Sequence, residues 1–300
     1  MLNVYEQISS NKRRSVLVIM FFVVFVSAFG WFFTYLYDYD WTFLFFALLV
    51  SGVGSYISWY NSDSIALSLA RAVPANPKDY QKYHSILGNL ARVAGIPTPK
   101  AYIIPSQALN AFACGRDPEH AAIAVTAGLL DKLDRTELEG VLAHELSHIK
   151  NYDTRLMTIV MVLVGSISMV LNWAWRISFR GGRDRDDRGG SALIMVIGLL
   201  FIILAPILAQ LMQFAISRRR EFLADASSAF LTRQPSGLIS ALKKIAANEN
   251  IELETASTAT AHLYIDDPVT KETHGSWLAQ LFSTHPPLKE RIAALEGQAG

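Results

Sequence analysis

Cysteine is nearly absent from this 300-residue chain, which contains one, Cys114. A single cysteine excludes an internal disulfide and fits a domain that faces a reducing cytoplasm. We expect Cys114 to be a small, buried, apolar residue rather than a reactive thiol.

An excess of charge of one sign is also missing. Twenty-seven lysines and arginines stand against 26 acidic residues, for a formal net charge of +1. Nucleic-acid-binding domains carry a strongly basic footprint, and nucleotide-binding loops carry glycine-rich motifs. Neither feature is present, so we expect no nucleic-acid partner.

Charged residues are missing altogether from four long stretches, 16–37, 41–60, 156–175 and 191–217. Each has at least 20 residues, and a helix of about 20 apolar residues crosses a bilayer. The alternative is buried core helices, but a chain of this size rarely buries four such runs. The pattern therefore predicts an α-helical integral membrane protein.

Basic residues predict the orientation of these runs. Lys12, Arg13 and Arg14 precede the first run and place the N-terminus in the cytoplasm. The first run is longer than a signal-peptide core and lacks a cleavage site, so it reads as an uncleaved anchor. Loop 176–190 carries five arginines yet should lie outside. Either it departs from the rule or the third and fourth runs form a hairpin that does not fully cross; we favour full crossing.

This topology divides the chain into five parts. They are a cytoplasmic N-terminus (1–15), a membrane hairpin (16–60), a first part of a cytoplasmic domain (61–155), a second membrane hairpin (156–217) and a second part of that cytoplasmic domain (218–300).

The segment "VLAHELSHIKNYD", residues 141–153, contains two histidines four positions apart. On a helix, His144 and His148 share one face and can bind one metal ion, with Glu145 beside it. Asp134 and Glu137 are spaced as a capping box that would start this helix. The pattern is the H-E-x-x-H motif of zinc peptidases, in which the glutamate takes a proton from water.

A catalytic zinc site usually has a third protein ligand. The continuation typical of metzincins is absent, so a glutamate from a second helix is the other common solution. In "SRRREFLADASSAF", residues 217–230, Glu221 can be that ligand and Asp225 can accept a hydrogen bond from a ligand histidine. Alternatively the pair balances the neighbouring arginines. Asp153 and His285 are the next candidates for a ligand.

The remaining pattern predicts a zincin-type α+β metallopeptidase domain, mostly α with a small β-sheet. Helices are predicted at 80–94, ended by Gly95, at 236–248, and after the prolines near 286. Short strands are predicted at 101–105, 110–115 and 121–128.

Four segments together resemble the HtpX family of membrane zinc metalloproteases, relatives of the CAAX prenyl endopeptidase. They are the two segments quoted above, "NAFACG" at 110–115 and "STHPPLKERI" at 283–292. The resemblance implies one Zn²⁺ per subunit, bound by His144, His148 and Glu221, with Glu145 as the catalytic base.

Further site residues follow from the same resemblance. Residues Asn110, Ala111, Phe112 and Ala113 would form an edge strand that binds substrate by strand addition. His285 would act in catalysis by stabilising the oxyanion, or would pack near the site. Arg291 would pair with an acidic residue or lie on a solvated face, and we favour the solvated face.

The resemblance also implies a function. It is that of a membrane-embedded zinc endopeptidase of the bacterial inner membrane, which cleaves misfolded or damaged membrane proteins at the cytoplasmic face during stress and quality control. Its partners would be membrane-protein and unfolded-protein substrates and the lipid bilayer. The alternatives are a narrow-specificity protease of the CAAX type and a catalytically silent membrane scaffold.

Overall fold

The structure is a computed structural model that describes residues 4–37, 41–163, 218–248, 253, 260–266 and 286–297. Most of the third charge-free run, all of the fourth and loop 176–190 lie outside the described residues, and so does His285. The predicted domain boundaries and crossings in that part stay predictions.

The first two charge-free runs form helices. Helix α1 spans Val4–Tyr37 and helix α2 spans Trp41–Tyr60, and the two lie against each other. Within the part of the chain that the structure describes, no helix is both long enough and apolar enough to cross a membrane. A short helix, α3 (Ser62–Leu69), follows.

Helix α4 (Gln81–Ala94) confirms the helix predicted at 80–94. Its apolar positions face one side, where residues such as Tyr83, Leu87 and Ala91 are buried. Gly95 ends the helix with φ 70°, a left-handed conformation that glycine adopts without steric cost.

The sheet has four strands in the order β1-β2-β4-β3. These are β1 (Val73–Pro74), β2 (Lys100–Ile104), β3 (Ala111–Gly115) and β4 (Ala121–Thr126). β4 pairs in parallel with β2 and antiparallel with β3, and β1 is antiparallel to β2. The three predicted strands are confirmed, although the strand predicted to reach residue 128 ends at Thr126.

Thr126 ends that strand because its side chain caps the next helix. Its hydroxyl accepts a hydrogen bond from the Leu129 N–H at the start of α5 (Ala127–Lys132). Capping side chains satisfy backbone donors that a helix start leaves without intrahelical partners.

The motif helix α6 spans Arg135–Lys150, and it begins with the predicted capping box between Asp134 and Glu137. After α6 the chain turns at Tyr152, which has φ 60°, and continues as helix through residues 153–163. Almost every side chain of α6 from Leu138 to Ile149 is buried, because neighbouring elements cover it on several sides.

Two helices from the C-terminal part of the chain pack on α6. They are α7 (Arg218–Thr232) and α8 (Pro235–Ala247), and the second confirms the helix predicted at 236–248. The last helix, α9 (Leu288–Glu296), begins after the prolines as predicted and packs on α7 and α8. The metal motif therefore lies at the centre of the described helices.

Candidate metal centre

The two motif histidines point their Nε2 atoms at each other. His144 Nε2 and His148 Nε2 lie 3.1 Å apart, and the ring planes are nearly perpendicular, at 86°. Both side chains are buried, as is Glu145. The four-residue spacing on a regular helix produces this geometry.

Glu221, near the start of α7, completes a cluster of three potential ligands. Its Oε1 lies 3.5 Å from His148 Nε2 and its Oε2 lies 3.7 Å from His144 Nε2. The three ligand atoms lie within 4.8 Å of one another, and all three residues are buried. Two imidazole nitrogens and one carboxylate oxygen are a donor set that fits a catalytic zinc ion. The predicted ligands thus come together in space, and metal binding by them stays a prediction.

Asp225 lies one turn beyond Glu221 and contacts the far nitrogen of His144, where the sequence placed it. Its Oδ1 is 2.9 Å from His144 Nδ1. A hydrogen bond there keeps the proton on Nδ1 and leaves Nε2 as the electron-pair donor. Asp225 therefore contacts a predicted metal ligand and is not part of the three-residue cluster.

The expectation that Arg291 lies on a solvated face is wrong, because Arg291 is completely buried. Its Nε and Nη2 donate to the two oxygens of Asp225 at 2.9 and 2.6 Å, in a bidentate pair. Its Nη1 donates to the Ile265 carbonyl at 3.1 Å. A lone Arg in a helix with polar neighbours carries no local signal of burial, so the sequence could not reveal this pair.

His148 has a carboxylate partner of its own. Asp153 Oδ2 lies 3.1 Å from His148 Nδ1, on the ring side opposite Nε2. Asp153 is therefore placed to orient this histidine, whereas the sequence suggested it only as a substitute ligand. Asp153 lies five residues after His148 and beyond the end of α6. Helical spacing therefore could not predict this contact.

Charge and burial set the protonation of the site. Burial raises the pKa of Glu145 to about 7, although the positive charge of His148 acts in the opposite direction. Burial and then Arg291 lower the pKa of His144 to about 4. A base with a pKa near neutrality suits general-base catalysis, and a neutral imidazole suits metal binding.

The pKa of His148 shifts in the opposite direction to that of His144, because two carboxylates flank His148. Burial alone would lower the pKa of His148, but Glu221 and Asp153 outweigh burial and raise it to about 9. A divalent cation at Nε2 competes with the proton at that position. Burial also opposes ionisation of Asp225, but Arg291 outweighs it and holds the pKa of Asp225 at about 2.

The predicted substrate-binding strand lies at the sheet edge, next to Glu145. β3 pairs with β4, and Ala111, Phe112 and Ala113 are buried, as is the preceding Asn110. On the far side of β3, the Ile265 N–H donates to the Ala111 carbonyl at 3.0 Å. The Asn110 side-chain amide donates to the Asp266 carbonyl at 2.8 Å. The strand position agrees with the prediction, and its role in binding substrate stays a prediction.

The described residues bring together two histidines on one helix, a glutamate from a second helix and a neighbouring edge strand. This arrangement is typical of a metallopeptidase. Residues 77–299 match the model of peptidase family M48. The chain belongs to this family, and it is a metallopeptidase.

Curated relatives match the chain over almost its whole length. It is 45% identical to a "Protease HtpX homolog" of Lactobacillus acidophilus, with 97% of this chain and 99% of the relative covered. It is 41% identical to a protein with the same description from Caldanaerobacter subterraneus subsp. tengcongensis, with 97% of each covered. The resemblance to the HtpX family is therefore confirmed.

The fold is also found among solved structures. The chain aligns with the crystal structure of S. mikatae Ste24p at a TM-score of 0.50 and 17% identity, covering 97% of this chain and 67% of that chain. At this identity the likeness concerns the fold alone.

Proposed function

We propose that the protein is a zinc endopeptidase that cleaves misfolded or damaged membrane proteins at the cytoplasmic face of a bacterial inner membrane. The observation that supports the peptidase part is the buried cluster of His144, His148 and Glu221. Glu145 lies between the two histidines on helix α6. Two histidines and one carboxylate are a donor set that catalytic zinc uses.

The proposed reaction is hydrolysis of a peptide bond. A bound zinc ion supplies Lewis-acid chemistry, since it activates water and polarises the scissile carbonyl. Glu145 accepts the proton of the attacking water and then donates it to the leaving amine, so the carboxylate is regenerated. Its pKa, raised to about 7 by burial, allows both steps near neutral pH.

The edge strand supports a polypeptide substrate. An extended peptide can pair with β3 through main-chain hydrogen bonds, which do not depend on side-chain identity. That mode suits a protease acting on unfolded segments of varied sequence. Because the chain's own Ile265 bonds the Ala111 carbonyl, a paired substrate would replace this contact or bind beside it.

The membrane part of the proposal comes from α1, α2 and the later charge-free runs. Large apolar side chains on α1 and α2 are half or more exposed, among them Val24, Trp31, Phe45 and Ile57. Contiguous exposed apolar surface indicates a membrane or protein partner. Lys12, Arg13 and Arg14 favour a cytoplasmic N-terminus, and hence a cytoplasmic metal centre.

The test uses the full-length protein in detergent and its Glu145→Gln variant. Glutamine keeps the shape of glutamate but cannot accept the proton, so casein cleavage should fall by several orders of magnitude while zinc remains bound. Chelation should abolish wild-type cleavage and added Zn²⁺ should restore it. Near-normal activity of Glu145→Gln would contradict the assignment of the base.

The choice of substrate separates the alternatives. Cleavage of both casein and an unfolded membrane protein supports broad quality-control activity. Cleavage restricted to prenylated C-terminal peptides would indicate a narrow processing protease. Zinc binding without cleavage of any of these would indicate a silent scaffold.

A further inference from the structure

Asp153 stands on the far side of His148 from the ligand cluster. Its Oδ2 accepts from His148 Nδ1 at 3.1 Å, and Asp153 is 1% exposed. Because Nδ1 is engaged, His148 presents Nε2 towards Glu221. This repeats, for the second histidine, the arrangement that Asp225 makes with His144.

Asp153 is itself held by two residues distant in sequence. The Asn11 side-chain amide donates to Asp153 Oδ1 at 2.7 Å, and Arg220 Nη1 lies 3.6 Å from the same oxygen. Arg220 Nη1 also donates to Asn11 Oδ1 at 3.2 Å. The three side chains therefore form a closed polar group in which Arg220 directly precedes the ligand Glu221.

Asn11 belongs to helix α1 and is nonetheless 1% exposed, whereas the neighbouring Lys12 and Arg13 are exposed. Its amide nitrogen also donates to the carbonyl of Asn151, the residue that caps the C-terminal end of α6, at 2.9 Å. Lys12 lies over the Tyr152 ring, 4.2 Å from its centroid. The first turns of α1 thus pack directly on the turn that carries Asp153.

The chemistry of this position requires an amide. The side chain at residue 11 donates to Asp153 and to a backbone carbonyl, and accepts from Arg220. Aspartate cannot donate in its ionised form, and an apolar residue can do neither. A buried polar side chain does not destabilise the fold when its donors and acceptors are all hydrogen-bonded.

We propose that Asp153 is a positioning residue for His148 and that Asn11, from helix α1, holds Asp153 in place, so that α1 is a structural part of the metal centre. Residues in contact with a ligand's far nitrogen typically change metal affinity 10- to 100-fold when removed. This inference rests on the proposed zinc site.

The experiment measures the zinc affinity of the full-length protein in detergent by competition between Zn²⁺ and a chromogenic chelator. Asp153→Asn should weaken affinity by about 10- to 100-fold and Asn11→Leu by about 10-fold. The double variant should bind zinc about as well as Asp153→Asn alone, because both act through His148. Asn11→Ala replaces Asn11→Leu if the larger side chain prevents folding.

Two controls make the result decisive. Asn89→Leu removes an exposed asparagine from α4 and should leave zinc affinity unchanged. His148→Ala removes a proposed ligand; if it binds zinc as tightly as the wild type, the zinc site itself is wrong. If His148→Ala loses zinc but Asp153→Asn and Asn11→Leu bind it normally, the positioning role alone is overturned.

Thermal unfolding of the chelator-treated protein separates positioning from folding. A lower melting temperature of Asn11→Leu with unchanged zinc affinity would show a purely structural role and overturn the proposal. Weaker zinc binding in each single variant, with no further weakening in the double variant of Asn11 and Asp153, supports it.

Discussion

The Nδ1 atom of each histidine in the candidate metal centre faces a carboxylate oxygen of a different aspartate, Asp225 for His144 and Asp153 for His148. Each aspartate is in turn contacted by an arginine, Arg291 or Arg220. Under the proposed zinc site, this arrangement orients both imidazoles and favours the tautomer whose Nε2 can bind the metal. The predicted ligand set is thus surrounded by charged side chains that contact its histidines directly or through an aspartate.

Glu221 is the predicted third ligand of the metal. Glu221→Ala should lose both zinc and activity, because two histidines alone leave the ion with too few protein ligands. Atomic absorption on the purified variant, beside a casein assay, measures both. Full zinc content with full activity would place the third ligand elsewhere.

The Arg291–Asp225 pair should matter for stability as well as for the metal. Arg291→Ala leaves the Asp225 carboxylate buried without its bidentate partner, which costs about 3–5 kcal/mol. Denaturant unfolding of the metal-free protein measures this loss. As a matched control, Lys243→Ala removes the exposed ion pair with Glu296 and should cost about 1 kcal/mol or less. Equal losses in the two variants would argue against a buried, paired Arg291.

At the scale of elements, helices α6 and α8 approach each other through two glycines. A Cβ at Gly140 would lie 2.6 Å from the Leu238 nitrogen, and a Cβ at Gly237 would lie 2.6 Å from the Thr136 carbonyl oxygen. The Ser228 hydroxyl from α7 also donates to the Gly140 carbonyl, at 2.7 Å. The motif helix is therefore fixed by backbone contacts on the side away from the sheet.

Gly140→Ala should destabilise the protein by about 1–3 kcal/mol, because the new methyl group forces two backbones apart. Activity should fall with stability, since the same helix carries both histidines. In contrast, Gly88→Ala in α4 meets nothing within 4 Å and should stabilise by about 0.5–1 kcal/mol. Melting temperatures of the two variants compare them directly, and a neutral Gly140→Ala would contradict the close approach.

At the scale of the whole molecule, the metal centre joins distant parts of the chain. Asn11 comes from α1, the histidines from α6, Glu221 from α7 and Arg291 from α9. Under the proposed topology, a membrane hairpin separates the histidines from Glu221. Both ends of that hairpin must lie on one side of the membrane for the ligands to meet.

A reporter fused at Gly182 tests this topology, at a position outside the described residues. Alkaline phosphatase, which is active only outside the cytoplasm, should be active there and inactive when fused after Tyr60. The two fusions control for expression because they share one N-terminus. Phosphatase inactivity at Gly182 would contradict two full crossings between residues 156 and 217.

The amino-acid sequence by itself determined the features that depend on local geometry. The spacing of His144 and His148 predicted a shared helix face, Asp134 and Glu137 predicted the helix start, and Gly95 predicted a helix end. These predictions succeeded because helical periodicity and capping act over a few residues. The placement of Glu221 also followed from spacing, together with the resemblance to a family.

Tertiary structure alone decided the contacts between residues far apart in the chain. It buried Arg291 against Asp225, brought Asn11 to Asp153 and placed Ile265 along β3. Such pairings arise from how elements pack, and an isolated polar residue in a helix shows the same local pattern whether it faces solvent or a buried charge. The charges around the metal ligands therefore become visible only when α1, α7 and α9 are assembled around α6.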